Sequence, residues 1–241
     1  MIGLELPRPR DITALFGDAF RVYRARAGTF LLVSAAIVVP AELVVSGVGL
    51  EQLTASYNAS PPPAETIIRT AVSFLVVAPL ITATCIYALR DLATGTAPRA
   101  ARTLAAGFDA FAPIFLAVLL AAVGIALGLV LLIVPGVYLA VRWYFVPQAV
   151  VLEGARGPQA LTASGQVVEG FWWRAAGIVL LANLAATVPS LVLIEPFAAI
   201  ASSTDRAVWS LVGQMAAETV ATPFVALLST LLYYDLRARR A

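Results

Sequence analysis

The chain has 241 residues, of which 61% are hydrophobic and 12% are charged, and its net charge is +2. Soluble globular domains usually carry about 25% charged residues, so this composition excludes a folded surface that faces water on all sides. All 16 basic residues are Arg and His is absent, and the small net charge gives no indication of a nucleic-acid partner. The composition predicts one all-α integral membrane domain over residues 1–241.

Apolar runs of about 20 residues, the length that crosses a bilayer, recur along the chain. A shorter run, 137–152, contains Arg142 and follows Pro135-Gly136, which predicts a tight turn between two spans. We therefore predict a bundle of six transmembrane helices. The spans are 29–48, 71–89, 111–134, 137–152, 171–193 and 209–234.

Arg residues are concentrated in alternate loops, as expected when basic loops stay in the cytoplasm. With six spans, every Arg except Arg69, Arg142 and Arg206 falls on one side, together with both termini. Without a crossing at 137–152, the Arg-rich tail would fall on the opposite side. We predict a multi-pass protein of the cell membrane with cytoplasmic termini, and the use of Arg without Lys suggests a bacterium with a GC-rich genome.

Three cytoplasmic segments have helical periodicity without being long enough to span a membrane: Asp11–Arg24, Pro98–Phe108 and Pro158–Val168. They predict short amphipathic helices on the inner leaflet. Because two spans follow each of them, the order also predicts three repeated helical hairpins.

Basic and aromatic residues at the inner boundary predict contact with the bilayer, including its anionic lipids. Each Arg near the surface contributes about 1 kcal/mol, and Trp is enriched at membrane interfaces. Simple anchoring is the alternative role for the aromatic residues. The predicted headgroup contacts are Arg21, Arg24, Arg26, Trp172, Trp173 and Arg174.

Four motifs resemble a known bacterial family, the membrane domain of glycerophosphoryl diester phosphodiesterase. They are Arg8-Pro9-Arg10 before Phe20–Arg24, the run Pro135–Trp143 with Pro147 and Glu153, Gly170–Arg174, and Leu232–Arg237. The resemblance covers nearly the whole chain and implies the membrane fold. It does not imply the phosphodiesterase activity, because the catalytic barrel has no counterpart in these residues and the His residues that it uses are absent.

The sequence contains no recognisable catalytic, phosphate-binding or metal-binding motif. A chain without His has neither an H-E-x-x-H zinc site nor a Ser-His-Asp triad. We expect no enzyme activity, no cofactor and no metal.

Four charged residues in or beside the spans form the candidate ligand site: Glu42, Arg69, Arg142 and Glu218. Charges within a membrane are costly and usually pair inside the bundle. In one interpretation they neutralise one another and fix helix packing. In the other they line an outer-leaflet cavity where Arg142 holds an anionic group such as a lipid phosphate.

Two functions follow from these patterns. The first is a non-enzymatic scaffold or accessory protein in membrane lipid or envelope physiology. The alternative is a small transporter or lipid-handling protein that binds an anionic group at the outer Arg/Glu cluster. Pro40, Pro79, Pro147 and Pro223 favour a cavity because proline interrupts helices, and Gln148, Asn183 and Gln214 would add polar lining to it.

Overall fold

The fold consists of helices joined by short turns. A computed structural model describes residues 6, 8–46, 55–58 and 63–240, and the regular elements in these ranges are all helical. In chain order they are α1 (Ile12–Ala25), α2 (Ala27–Val45), α3 (Pro63–Val72), α4 (Ala78–Ala93), α5 (Ala100–Asp109), α6 (Phe111–Leu131), α7 (Ile133–Arg142), α8 (Val146–Glu153), α9 (Pro158–Val168), α10 (Trp172–Thr204) and α11 (Ala207–Ala238).

Five helical rods in the described ranges are long and apolar enough to cross a membrane. A π-helical turn, Ser73–Val77, joins α3 to α4, so these two form one rod of 31 residues. The other four rods are α2, α6, α10 and α11. The prediction of an all-helical chain with apolar, membrane-length helices is confirmed. Residues 47–48 of the first predicted span lie outside the described residues.

The predicted fourth span, 137–152, differs from a single helix. Its residues belong to α7 and α8, which are separated by a turn at Trp143–Phe145. The predicted turn at Pro135-Gly136 is wrong, because the extended residue that separates α6 from α7 is Leu132, with φ −159° and ψ 143°. Pro135 instead lies in the first turn of α7, where a missing N–H removes no helical hydrogen bond.

Gly136 allows α7 to pack closely against α6. A Cβ atom added at Gly136 would lie 2.7 Å from the backbone N of Leu129, and one added at Gly128 would lie 3.0 Å from the Cα of Gly136. The tip of this hairpin is apolar and exposed, with Val130 at 83% and Val134 at 79% exposure. Exposure of such residues is what hydrocarbon surroundings favour.

The densest packing lies at the end of the bundle where α4 and α11 terminate. Residues 79–89 of α4 and the C-terminal half of α11 are almost continuously buried, and α1, α5 and α9 pack around these two helices. The predicted short helices are thus confirmed as helices, and each buries one face. In α1 that face carries Leu15, Ala19 and Val22. The threefold repeat of hairpins stays a prediction.

Candidate functional site

Three of the four residues of the predicted outer Arg/Glu cluster lie close together: Glu42, Arg69 and Glu218. Arg69 forms ion pairs with Glu42 and with Glu65, the latter at 3.2 Å. Ser73, in the π-helical turn, donates a hydrogen bond from its hydroxyl to Glu218. Glu42 is 6% exposed, so its carboxylate depends on Arg69 for its partner.

This cluster is poorly suited to an anionic ligand. It contains three carboxylates, and the guanidinium of Arg69 is already shared between two of them. A cavity of about 330 Å³ adjoins it, lined in part by Glu65, Arg69 and Gln214. The pair between Arg69 and Glu42 agrees with the interpretation in which these charges neutralise one another and fix helix packing, but Glu218 meets Ser73 instead of an Arg.

Replacing Arg69 by Ala tests that structural role. The substitution leaves Glu42 buried without its cation, and we expect a loss of about 1–2 kcal/mol in the free energy of unfolding, because Arg69 is partly exposed. Adding Glu42→Gln to Arg69→Ala should recover most of this loss, since the uncompensated charge disappears. Reversible unfolding in mixed micelles measures all three proteins. A double variant less stable than Arg69→Ala would contradict the pairing.

Arg142, the fourth predicted ligand residue, lies elsewhere. Its guanidinium donates to the hydroxyl of Tyr138 at 3.1 Å, and its backbone carbonyl accepts the hydroxyl of Ser164 at 2.9 Å. A Cβ atom at Gly165 would lie 2.9 Å from Nε of Arg142. Arg142 therefore connects α7 to α9. The expectation of an outer-half position assumed one straight helix over 137–152, and the chain turns immediately after Arg142.

The predicted headgroup contacts divide into two groups. Arg21, Arg24 and Arg26 are exposed, and so is Trp173, at 83%. Trp172 instead stacks on Tyr138 with 5.9 Å between ring centroids.

Arg174 belongs to a buried polar network at the end of the bundle where α4 and α11 terminate. The carboxylate of Asp235 is fully buried and accepts hydrogen bonds from the backbone N of Arg10 at 2.6 Å, Nε of Arg174 at 3.1 Å and Nε of Arg239 at 3.0 Å. The carbonyl of Arg10 accepts further bonds from Arg174 and Arg239, at 2.6 and 2.7 Å. The side chain of Arg10 pairs with Asp18 at 3.1 Å. One network thus ties together the N-terminal segment, α1, α10 and α11.

Asp18 is a member of this network that the sequence analysis missed. It lies on the buried face of α1, one turn from Leu15 and Val22, and is 3% exposed. Burial raises the pKa of its carboxyl, but hydrogen bonds and charges from Arg8 and Arg10 outweigh burial and lower the pKa below its ordinary value of 3.8. The sequence does contain a signal that identifies Asp18: it is an acidic residue within the apolar stripe of an amphipathic helix.

The four motifs of the family resemblance converge at this end of the bundle. Three of them supply Arg10, Arg174 and Asp235 to the network. The fourth supplies Glu153, which accepts a hydrogen bond from Tyr233 and pairs with Arg237 at 3.3 Å. The bonds of Arg10, Arg174, Asp235 and Glu153 therefore join separate segments of the fold at this end of the bundle.

A larger cavity, of about 730 Å³, lies between the long helices, bounded by α4, α6, α7, α8, α10 and α11. Its walls are mainly apolar and include Val118, Ile125, Trp143 and Leu191. Two of the predicted polar residues, Gln148 and Asn183, line this large cavity, whereas Gln214 lines the smaller one. Thr187 and Ser190, which the sequence analysis did not identify, also line the large cavity.

Breaks in the helices lie in the wall of this cavity. The π-helical turn ends immediately before α4, and both Phe74 from the turn and Pro79 line the wall. Pro147, in the first turn of α8, also lines the cavity. π-helical turns inside long helices are frequent at functional sites. Pro40 and Pro223 instead lie within continuous helices.

The described residues contain no cluster of three or more Cys, Asp or Glu side chains arranged to hold a metal ion. Comparison of the chain with known protein families, with curated proteins and with solved structures finds no match in any of the three.

Proposed function

We propose that this chain is a non-enzymatic protein of the bacterial cell membrane that crosses the bilayer six times and holds a lipid in the large cavity. The observation that carries the proposal is the cavity itself, which lies among helices of membrane length. Its volume of about 730 Å³ falls within the range of about 300–1,000 Å³ that is typical of small-molecule sites.

The position of Arg10 beside Asp235 supports the proposal of a sixth crossing. Arg10 precedes the first long helix and Asp235 ends the last one, yet their hydrogen bond is 2.6 Å long. Two ends on one side of a bilayer require an even number of crossings. The five long helices need one more, and α7 with α8 supply it as an interrupted helix that packs back along α6.

The sidedness proposed for these crossings rests on charge. The end of the bundle that carries the buried network also carries the exposed Arg21, Arg24 and Arg26, and basic residues favour the cytoplasmic side. Both termini are therefore proposed to be cytoplasmic. Anionic lipids of the inner leaflet are the proposed partners of these exposed residues.

Lipid binding explains the cavity better than the other functions that the sequence suggested. A scaffold or accessory role makes no use of a cavity inside the bundle. Anion capture at the outer cluster conflicts with the pairing of Arg69 by two carboxylates. An apolar cavity between membrane helices is accessible to the surrounding lipid. Acyl chains are the most abundant apolar groups in a bilayer, so they are the expected occupants.

Filling the cavity tests this function. Ala186 lines the cavity, and its neighbour Ala185 is exposed on the same helix without lining it. We expect Ala186→Phe to remove most of the lipid that remains bound after purification in mild detergent, because the ring occupies the space of the acyl chain. Native mass spectrometry counts the lipid bound to each protein.

Ala185→Phe is the matched control, since it adds the same ring to the same helix turn and should retain lipid like the unmodified chain. Equal lipid retention by Ala186→Phe and the unmodified chain would contradict a lipid in the cavity. Thermal unfolding of both variants establishes that they are folded.

A further inference from the structure

We infer that the cavity selects an uncharged lipid with a free hydroxyl group, such as a diacylglycerol; this inference rests on the proposed function and specifies its ligand. Three observations carry it: the absence of charged residues among the described residues that line the cavity, a stripe of polar side chains on α10 whose hydroxyl protons are already used, and a buried acceptor on α8 without a partner among those residues.

The lack of charged residues in the described lining of the cavity excludes an ionised lipid headgroup. Among the described residues that line the large cavity there is no Asp, Glu or Arg. A phosphate or ammonium group within the apolar walls would have no counter-ion, and burial of an unpaired charge is costly. An uncharged headgroup avoids that cost.

The polar stripe on α10 consists of Asn183, Thr187 and Ser190. Their spacing of four and three residues places them on one helix face, and all three line the cavity. Each donates to the carbonyl one turn earlier: Asn183 to Val179 at 2.7 Å, Thr187 to Asn183 at 2.8 Å and Ser190 to Ala186 at 2.8 Å. The hydroxyl protons of the stripe are therefore committed to the helix backbone.

The two hydroxyl groups of the stripe, Thr187 and Ser190, retain only the capacity to accept. A hydroxyl oxygen has one proton and two acceptor lone pairs, so Thr187 and Ser190 accept a further hydrogen bond while donating to their carbonyls. Thr187 is also exposed. A ligand hydroxyl group, which can donate, therefore complements these two oxygens.

Gln148, on α8, adds a buried acceptor to the cavity wall. Ser229 donates its hydroxyl proton to the carbonyl of Ala226 at 3.0 Å, so Ser229 accepts from Nε2 of Gln148 at 3.1 Å. This orientation leaves Oε1 of Gln148 without a hydrogen-bond partner among the described residues, although Gln148 is only 1% exposed. Buried acceptors are normally paired, and a donor from the ligand would meet that requirement.

Fluorescence quenching distinguishes the headgroups. The full chain in bilayer nanodiscs is titrated with a diacylglycerol that has brominated acyl chains, with the same lipid acetylated at its hydroxyl, and with the corresponding phosphatidic acid. Quenching of Trp143, which lines the cavity, is isolated as the difference between the unmodified chain and Trp143→Phe. We expect the free hydroxyl to lower the half-maximal lipid fraction by about tenfold relative to the acetylated lipid.

Two variants locate the selection. Thr187→Val keeps the side-chain shape and removes an acceptor of the stripe, and we expect the preference for the free hydroxyl to fall by about fivefold. Thr204→Val is the matched control, because Thr204 donates to the carbonyl of Ile200 on the same helix but does not line the cavity. Gln148→Leu should reduce the preference as Thr187→Val does, and Gln214→Leu should leave it unchanged.

Each outcome has a separate meaning. Equal quenching by the free and acetylated diacylglycerols in the unmodified chain overturns the hydroxyl selection while leaving a lipid in the cavity. Equal quenching by phosphatidic acid and diacylglycerol overturns the uncharged headgroup. If none of the three lipids quenches Trp143, the proposed function itself is wrong. The lipid comparison in the unmodified chain decides the inference even if a variant fails to fold.

Discussion

Asp235→Asn is expected to destabilise the protein by about 3–5 kcal/mol, the usual cost of removing one partner from a buried charge network. Asp235 is fully buried and accepts from Arg10, Arg174 and Arg239. An Asn side chain has a similar shape but no charge, and its NH₂ group would face one of these donors. The free energy of unfolding in mixed micelles, followed by circular dichroism, gives the difference directly.

Glu169→Gln provides the control for this prediction. Glu169 pairs with Arg240 at 3.7 Å in the same region, but its side chain is 63% exposed. Surface pairs contribute little, so the change should shift stability by less than about 0.5 kcal/mol. If Asp235→Asn were as mild as Glu169→Gln, the network would not hold the two ends of the chain together.

Gly136→Ala is expected to destabilise the α6–α7 hairpin by about 2–3 kcal/mol, although Ala favours helices. The added methyl group would lie 2.7 Å from the backbone N of Leu129 and 2.5 Å from its Cγ. Backbone atoms cannot move aside as a flexible side chain does, so α7 must shift away from α6. The same unfolding measurement reports the effect.

Gly177→Ala is the matched substitution, with an effect of the opposite sign. Gly177 lies in the helix α10, and no atom lies within 4 Å of an added Cβ. Replacement should therefore be neutral or stabilising by about 0.5–1 kcal/mol, since Ala restricts the unfolded chain more than Gly does. Stabilisation by Gly136→Ala as well would show that the close approach of the two helices is absent.

The long helices were predictable because hydropathy is a local property. A run such as 111–134 is apolar on every side, and a helix is the conformation that satisfies its backbone in hydrocarbon; the structure has α6 there. The amphipathic period of Asp11–Arg24 likewise led to α1. Such patterns determine which residues are helical without determining which helices meet.

The parts that were not predictable depend on contacts between distant residues. Asp18 and Asp235 are far apart in the sequence, and nothing local indicates that Arg10 joins them. Arg142 was placed by counting residues along one helix, whereas its position follows from the turn at Trp143–Phe145. The polar stripe that includes Thr187 was missed because isolated hydroxyl residues are common in membrane helices and bond to their own backbone.

Cysteine accessibility in intact cells tests the six crossings most directly. In a Cys85→Ala background, single cysteines replace Ala97, which precedes α6, and Arg156, which follows α8; both positions are exposed in the structure. If α7 and α8 cross the membrane, a membrane-impermeant maleimide labels neither position 97 nor position 156 in intact cells, and it labels both after lysis. A cysteine that replaces Ser203 is labelled in intact cells. Labelling of positions 97 and 156 from opposite sides would contradict the sixth crossing.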